Sequence, residues 1–250
     1  MKRKRTGSSR FYFYFILSIL VIFFASFGIR SLVTKMSFFN ISDIKVYGNY
    51  NLETEFLSNI SKDLLGKNIY LVSKKDVLKK YENIIRIKDV KVSRLFPNKL
   101  KIKIIEKIGL FFIKTSDGKF FPIDEKRTVL DNDNFYLKEI LPIIETDIPT
   151  SKITFGSEIE NEFVERVFEL SKIIKAENTD FINNISEFYC AEDDIFMVEA
   201  NTGYRIVFGV ENIEGKLKKY SFLEQNRTFK KETIIDLRFQ DQLVIRSEAK

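Results

Sequence analysis

The chain has 250 residues with 41 basic and 35 acidic side chains, a net charge of +6, 44% hydrophobic residues, no histidine and one cysteine. That inventory excludes Ser-His and Cys-His nucleophiles, any zinc site that needs histidine, and an intramolecular disulfide. Lys2, Arg3, Lys4, Arg5 and Arg10 lie in the first ten residues with no acid among them, so much of the basicity belongs to one tail and lends no support to nucleic-acid binding.

From Phe11 to Ile29 the chain is uncharged and mostly apolar. At about 1.5 Å per residue such a run spans roughly 28 Å as a helix, close to the hydrocarbon thickness of a bilayer, with its backbone polar groups satisfied internally. A cleaved signal peptide has a shorter apolar core and a small-x-small site, whereas Ile29-Arg30-Ser31-Leu32-Val33 follows here. The reading is an uncleaved anchor. Residues 1–10 form a cytoplasmic basic tail, 11–29 a transmembrane helix and 30–38 a linker, and the positive-inside bias puts everything later outside the cytoplasm. No later segment is long and apolar enough for a second span.

Beyond the anchor the charge changes sign along the chain. Residues 31–107 hold 16 basic and 8 acidic side chains, and residues 108–250 hold 19 and 27. This contrast places a domain boundary near Lys107, giving units 39–107 and 108–250, each long enough to enclose a core.

In the first unit, Ile41, Ile44 and Val46 lead to a Gly48-Asn49 turn and a helical stretch from about Leu52 to Leu65, which Gly66 can end. Ser73-Lys74-Lys75-Asp76 then reads as a helix start with Ser73 as cap. Val90-Lys91-Val92-Ser93 alternates, Phe96-Pro97-Asn98-Lys99 turns the chain, and Leu100 to Ile104 alternates again. The product is a hairpin with one apolar and one basic face. Lys74, Lys75, Lys79, Lys80, Lys101 and Lys103 are candidates for contact with anionic membrane lipids or an acidic partner segment, the alternative being a solvated face.

The order β-α-α-β-β behind a membrane anchor resembles the POTRA domain of the bacterial FtsQ/DivIB cell-division family. Val46-Tyr47-Gly48-Asn49 is similar to the family's V-x-G-N, and the segment from Val90 to Leu100, with Arg94, Phe96, Pro97 and Asn98, is similar to its V-x-R-x-W-P-N-x-L hairpin, Phe96 replacing the tryptophan. Glu106 stands where the family has the Glu of E-R-x-P, although Lys107-Ile108-Gly109 lacks the Arg and Pro.

The second unit continues the resemblance. Leu110 to Ile113, a Thr115-Ser116-Asp117-Gly118 turn and Lys119 to Asp124 form a hairpin, and Leu141-Pro142-Ile143-Ile144 is similar to a short family segment. A helix from about Asn161 to Lys175 buries Phe163, Val167, Leu170 and Ile174 on one stripe. Strands follow at 185–190, with Cys190 buried, at 195–200 and at 204–210; Gly209, Lys216, Leu217 and Leu223 extend the resemblance. The overall class is α+β: a transmembrane helix, a POTRA domain, and a mostly antiparallel β domain with flanking helices.

Near the C-terminus, Thr233 to Phe239, a Gln240-Asp241-Gln242 turn and Leu243-Val244-Ile245-Arg246 read as a hairpin whose last strand is a sheet edge. An open edge can accept a strand from another chain. Ile235, Leu237, Phe239, Leu243, Val244, Ile245 and Arg246 are the candidate partner-binding residues, with Tyr220 and Phe222 beside them. Glu192, Asp193 and Asp194 read as a solvated turn, and no cofactor or metal site is expected.

What the resemblance implies is a non-enzymatic divisome scaffold at the septum of the cell membrane. Its partners would be FtsB/DivIC-like and FtsL-like single-pass proteins, and the septal peptidoglycan synthase. The alternative from residue chemistry is a membrane-tethered cell-wall hydrolase using an Asp/Glu pair, which lacks a recognisable cleft pattern.

Overall fold

The computed structural model describes residues 8–131, 140–191, 193–209, 212–227, 229–231, 233–239 and 242–246. It divides into two compact units, Met1–Glu106 and Lys107–Lys250.

In the first unit, α1 (Ser8–Lys35) is a continuous helix whose stretch Phe11–Lys35 is long and apolar enough to cross a membrane. It continues through residues 30–35, which the sequence reading gave to a linker; nothing in Arg30 to Lys35 breaks a helix. Lys2, Arg3, Lys4 and Arg5 lie outside the described residues, and Arg10 falls in the first turn of α1.

Then come β1 (Asp43–Tyr47), α2 (Thr54–Ile60), α3 (Lys74–Lys79), β2 (Ile87–Leu95) and β3 (Lys99–Glu106). The three strands form one sheet in the order β1-β3-β2, with β1 parallel and β2 antiparallel to β3. Alternation along β3 buries Leu100, Ile102 and Ile104 against Leu57 and Val77 of the helices, and turns Lys101 and Lys103 to the other face. Ser73 caps α3 by accepting from the Asp76 N–H at 3.1 Å. The first helical stretch is shorter than the periodicity suggests, because Ser61 ends α2 and a single 3-10 turn over Lys62–Leu64 follows. Gly48 has φ +87°, and a Cβ there would meet the Ile104 carbonyl oxygen at 2.6 Å, so the turn after β1 requires glycine.

One residue closes the far end of this sheet. Glu106 accepts from the backbone N–H groups of Tyr50 (2.9 Å), Asn51 (3.0 Å) and Leu52 (3.0 Å), and faces the buried Arg86 guanidinium at 3.5 Å. Burial pushes the Glu106 carboxyl up, but those three N–H groups outweigh it and hold the group below its usual range.

The second unit carries β4 (Phe111–Lys114), β5 (Phe120–Ile123), β6 (Ile143–Glu145), α4 (Glu162–Glu177), α5 (Thr179–Asn183), β7 (Ile185–Ala191), β8 (Asp194–Glu199), β9 (Arg205–Val207), α6 (Ile213–Asn226), β10 (Ile234–Asp236) and β11 (Val244–Arg246). Its eight-stranded sheet runs β11-β10-β9-β8-β7-β6-β4-β5. The sheet is mixed. Hairpins β4-β5, β7-β8, β8-β9 and β10-β11 are antiparallel, while β4-β6, β6-β7 and β9-β10 are parallel. The two last connections to β10 and β7 pass through α6 and α4, as parallel neighbours require a crossover.

Asn161 caps α4 through the Val164 N–H at 3.1 Å. The buried stripe runs through Val164, Val167, Phe168, Ser171 and Ile174, with Leu170 beside it; Phe163, expected on it, is only partly buried because the stripe follows the i, i+3, i+4 rows from Val164. Cys190 is exposed, contrary to expectation: it shares its strand face with buried Phe188 but borders an open hollow with Glu145, Asn161 and Arg166. Of the three consecutive acids leading into β8, Glu192 lies outside the described residues, Asp193 adopts a left-handed φ of +65°, and Asp194, the first residue of β8, pairs with Arg238.

Candidate partner-binding edge

The two rims of the eight-stranded sheet differ. At one rim, β5 contains Pro122, which has no N–H to offer, and its outer side is already used: the Leu130 N–H donates to the Pro122 carbonyl at 2.9 Å, and Ile123 bridges Val129. At the other rim, β11 pairs with β10 on one side, with Ile234 opposite Arg246, Ile235 opposite Ile245 and Asp236 opposite Val244. Among the described residues no strand covers its other side.

The hairpin is built around a charged clasp. Asp236 is 1% exposed, and its carboxylate accepts from Arg238 at 2.9 and 2.6 Å and from Arg246 at 3.5 Å. Arg238 also donates to Asp194 at 2.6 Å, tying the strand rim to the start of β8. Burial pushes the Asp236 carboxyl up, but the hydrogen bonds from Arg238 and the charges of Arg238 and Arg246 more than offset this and hold it below its usual range. Gly209, at φ +66°, passes close to the Arg238 side chain.

The sequence-derived residues divide sharply by burial. Ile235 and Leu237 sit in the core, and Leu243 packs partly buried against it, so these three support the rim from beneath. Val244 is half-buried, while Ile245, Phe239 and the Arg246 side chain are accessible. Tyr220 is corrected: it is 1% exposed, with its hydroxyl 3.3 Å from Glu199 and its ring 5.2 Å from Phe181, and cannot be a surface contact. Burial, Glu199 and Glu224 all push its phenol up. The reason is α6, an unexpected helix capped by Asn212, whose Ile213, Leu217 and Tyr220 face inward at i, i+4, i+7 while Phe222 points out at 70% exposure. That spacing was the available signal; Gly215 and the lysines around Leu217 masked it. Lys216 is buried, and its ammonium donates to the Phe208 carbonyl at 2.6 Å. The Gln240-Asp241 part of the turn lies outside the described residues.

The hairpin motif of the first unit makes different contacts. Arg94 donates to the Val72 carbonyl at 2.7 Å, which fastens the hairpin to the loop before α3. Phe96 and Pro97 lie at the hairpin tip, joined by a cis peptide bond, and the Asn98 carbonyl accepts from the Ser42 N–H at 2.9 Å just before β1. Among the described residues, no group of three or more Asp, Glu or Cys side chains is placed to hold a metal ion.

Comparison with known proteins agrees with this architecture. The sequence pattern of the POTRA domain, FtsQ-type, matches residues 39–107. A cell division protein DivIB of Clostridium botulinum strain Hall is 35% identical over 130 residues, covering 52% of this chain and 47% of that protein, so the match spans about half of that relative's length. The DivIB of Bacillus anthracis is 26% identical over 244 residues, covering 94% of this chain and 83% of the relative. That of Clostridium tetani is 25% identical over 207 residues, covering 76% and 78%. An apolar helix leads into a β-α-α-β-β unit that matches the FtsQ-type POTRA domain, and similarity to DivIB cell-division proteins runs on through the mixed sheet behind it.

Proposed function

We propose that this protein is a non-enzymatic divisome scaffold. Its basic tail stays in the cytoplasm, α1 crosses the cell membrane, and both units work outside it at the division septum, the POTRA domain occupying 39–107 and the β domain 108–250. The β domain takes a strand of an FtsB/DivIC-like partner onto β11, next to an FtsL-like protein, and the assembly holds the septal peptidoglycan synthase. The observation that carries this reading is the asymmetry of the sheet: Pro122 and the Val129–Leu130 segment cover one rim, and β11 keeps one side without a strand among the described residues.

Proline scanning of β11 tests it. Outward and inward N–H groups alternate along an antiparallel strand. Of Val244→Pro and Ile245→Pro, the variant that removes the outward donor abolishes recovery of the partner from detergent-solubilised membranes while the domain stays folded and membrane-bound. Partner recovery unchanged by both substitutions would exclude strand addition. Orientation is tested separately: a reporter fused at Lys250 is active outside the cytoplasm and one at Thr6 inside, with the full chain retained in membranes.

A further inference from the structure

The end of α1 is bonded directly to the first unit. The Asn68 side-chain amide, 5% exposed, donates to the carbonyl of Val33 (3.0 Å), one of the orphan carbonyls at the helix C-terminus, and to that of Met36 (3.4 Å) just past the helix. The same side chain accepts from the Tyr70 N–H at 3.0 Å. Beside it, the Ile69 N–H donates to Phe39 at 2.9 Å and the Ile41 N–H to Lys67 at 2.9 Å, so the segment leaving the helix is paired rather than slack.

An aromatic chain grows from this junction. Phe38 meets Phe39 at 5.2 Å between ring centroids, Phe39 meets Tyr70 at 5.3 Å, and Tyr70 meets Phe96 of the hairpin tip at 5.3 Å. Phe38, Leu71 and Phe96 are 61%, 63% and 55% exposed, and Leu95 is exposed next to them. Their distance from the bilayer follows from the helix: Val33 lies four residues past Ile29, the last residue of the uncharged run, hence about 6 Å beyond the hydrocarbon edge. The headgroup layer on each side of a bilayer is about 5–7 Å deep, and aromatic rings are favoured there.

We propose that the Phe38–Tyr70–Phe96 cluster, flanked by Leu71 and Leu95, seats the first unit in the headgroup layer of the membrane that α1 crosses. The proposal rests on the reading of α1 as a membrane span. The hairpin tip is thereby held against the lipid surface, and the opposite end of the sheet, where Tyr50 and Glu106 lie, points away; the eight residues of β3 put about 23 Å between the two ends. Apolar seating differs from attraction of the lysine-rich face to anionic lipid, because salt screens only the latter.

The chain contains no tryptophan, so single substitutions give an unambiguous fluorescence signal. Full-length Phe96→Trp, Leu71→Trp, Tyr50→Trp and Ile19→Trp are reconstituted in bilayers of phosphatidylcholine mixed with anionic phosphatidylglycerol, with bromine placed on the lipid chains either near the carbonyl end or near the middle. Phe96→Trp and Leu71→Trp lose about half of their emission to carbonyl-end bromine, at both about 0.1 M and about 1 M salt, and Tyr50→Trp loses less than about a tenth. Ile19→Trp is quenched most by mid-chain bromine. If Ile19→Trp is quenched but Phe96→Trp and Leu71→Trp are not, the seat is overturned and the span stands. Quenching of those two that vanishes at high salt overturns it in favour of charge attraction. If Ile19→Trp is itself unquenched, the spanning reading fails and the seat fails with it.

Discussion

Each unit closes one end of its sheet with a buried carboxylate, and the two do so with different partners. Glu106 in the first unit is satisfied by three successive backbone N–H groups and a buried guanidinium, so it fixes the path of the Tyr50–Leu52 loop. Asp236 in the second unit has one backbone donor, the Arg238 N–H at 3.1 Å, and is held mainly by the side chains of Arg238 and Arg246, both with access to solvent. A backbone-bound carboxylate defines a loop that has no other way to satisfy its donors. An arginine-bound one defines a rim that stays able to rearrange, since long exposed side chains can find water when the pair breaks.

That difference sets an order of expected effects. Glu106→Gln leaves the Arg86 charge without this partner and weakens three charge-assisted bonds, and it destabilises the first unit by about 3 kcal/mol, read as a lower urea midpoint and faster hydrogen exchange over residues 50–52. Acid reaches the same end from the solution side. Glu106 and Asp236 both have folded values below the ordinary carboxylate range, so their stabilisation is fully present above that range and is lost as the pH falls below about 4. Acid unfolding should therefore become shallower at its low end in Glu106→Gln.

Asp236→Asn keeps a side-chain acceptor for Arg238 and costs about 1.5 kcal/mol, with exchange rising in β10 and β11 and leaving β4 and β5 unchanged. If Asp236→Asn proves more damaging than Glu106→Gln, the distinction between backbone and side-chain partners fails. The smallest effect belongs to the surface. Asp63 pairs with Lys67 at 3.1 Å and Lys80 at 2.8 Å, but it is half exposed, and Asp63→Asn shifts stability by less than about 0.5 kcal/mol.

Much of this architecture was legible in the sequence where periodicity was strong. The Leu100-Ile102-Ile104 alternation, the Ser73 cap, the helix beginning near Asn161 and the C-terminal hairpin are local patterns, and each forms as its residues dictate. The candidate site was legible only as a hairpin. That Tyr220 belongs to the core follows from α6, whose polar, glycine-containing sequence hides a narrow apolar stripe. The Asp236–Arg238–Asp194 clasp joins residues 42 or more positions apart in the chain at one end, and no spacing rule foretells such a meeting.

By itself the sequence determined the long apolar helix, the order β-α-α-β-β and the pairing of β10 with β11, because an uncharged run of bilayer length, alternating side chains and short turns act through near neighbours. Tertiary structure alone decided the rest. It placed β10 parallel to β9 and left β11 at the rim, it covered β5 with Val129 and Leu130, and it gathered Phe39, Tyr70 and Phe96 around the end of α1. Those outcomes depend on which distant surfaces bury one another, and burial is a property of the packed chain rather than of any segment within it.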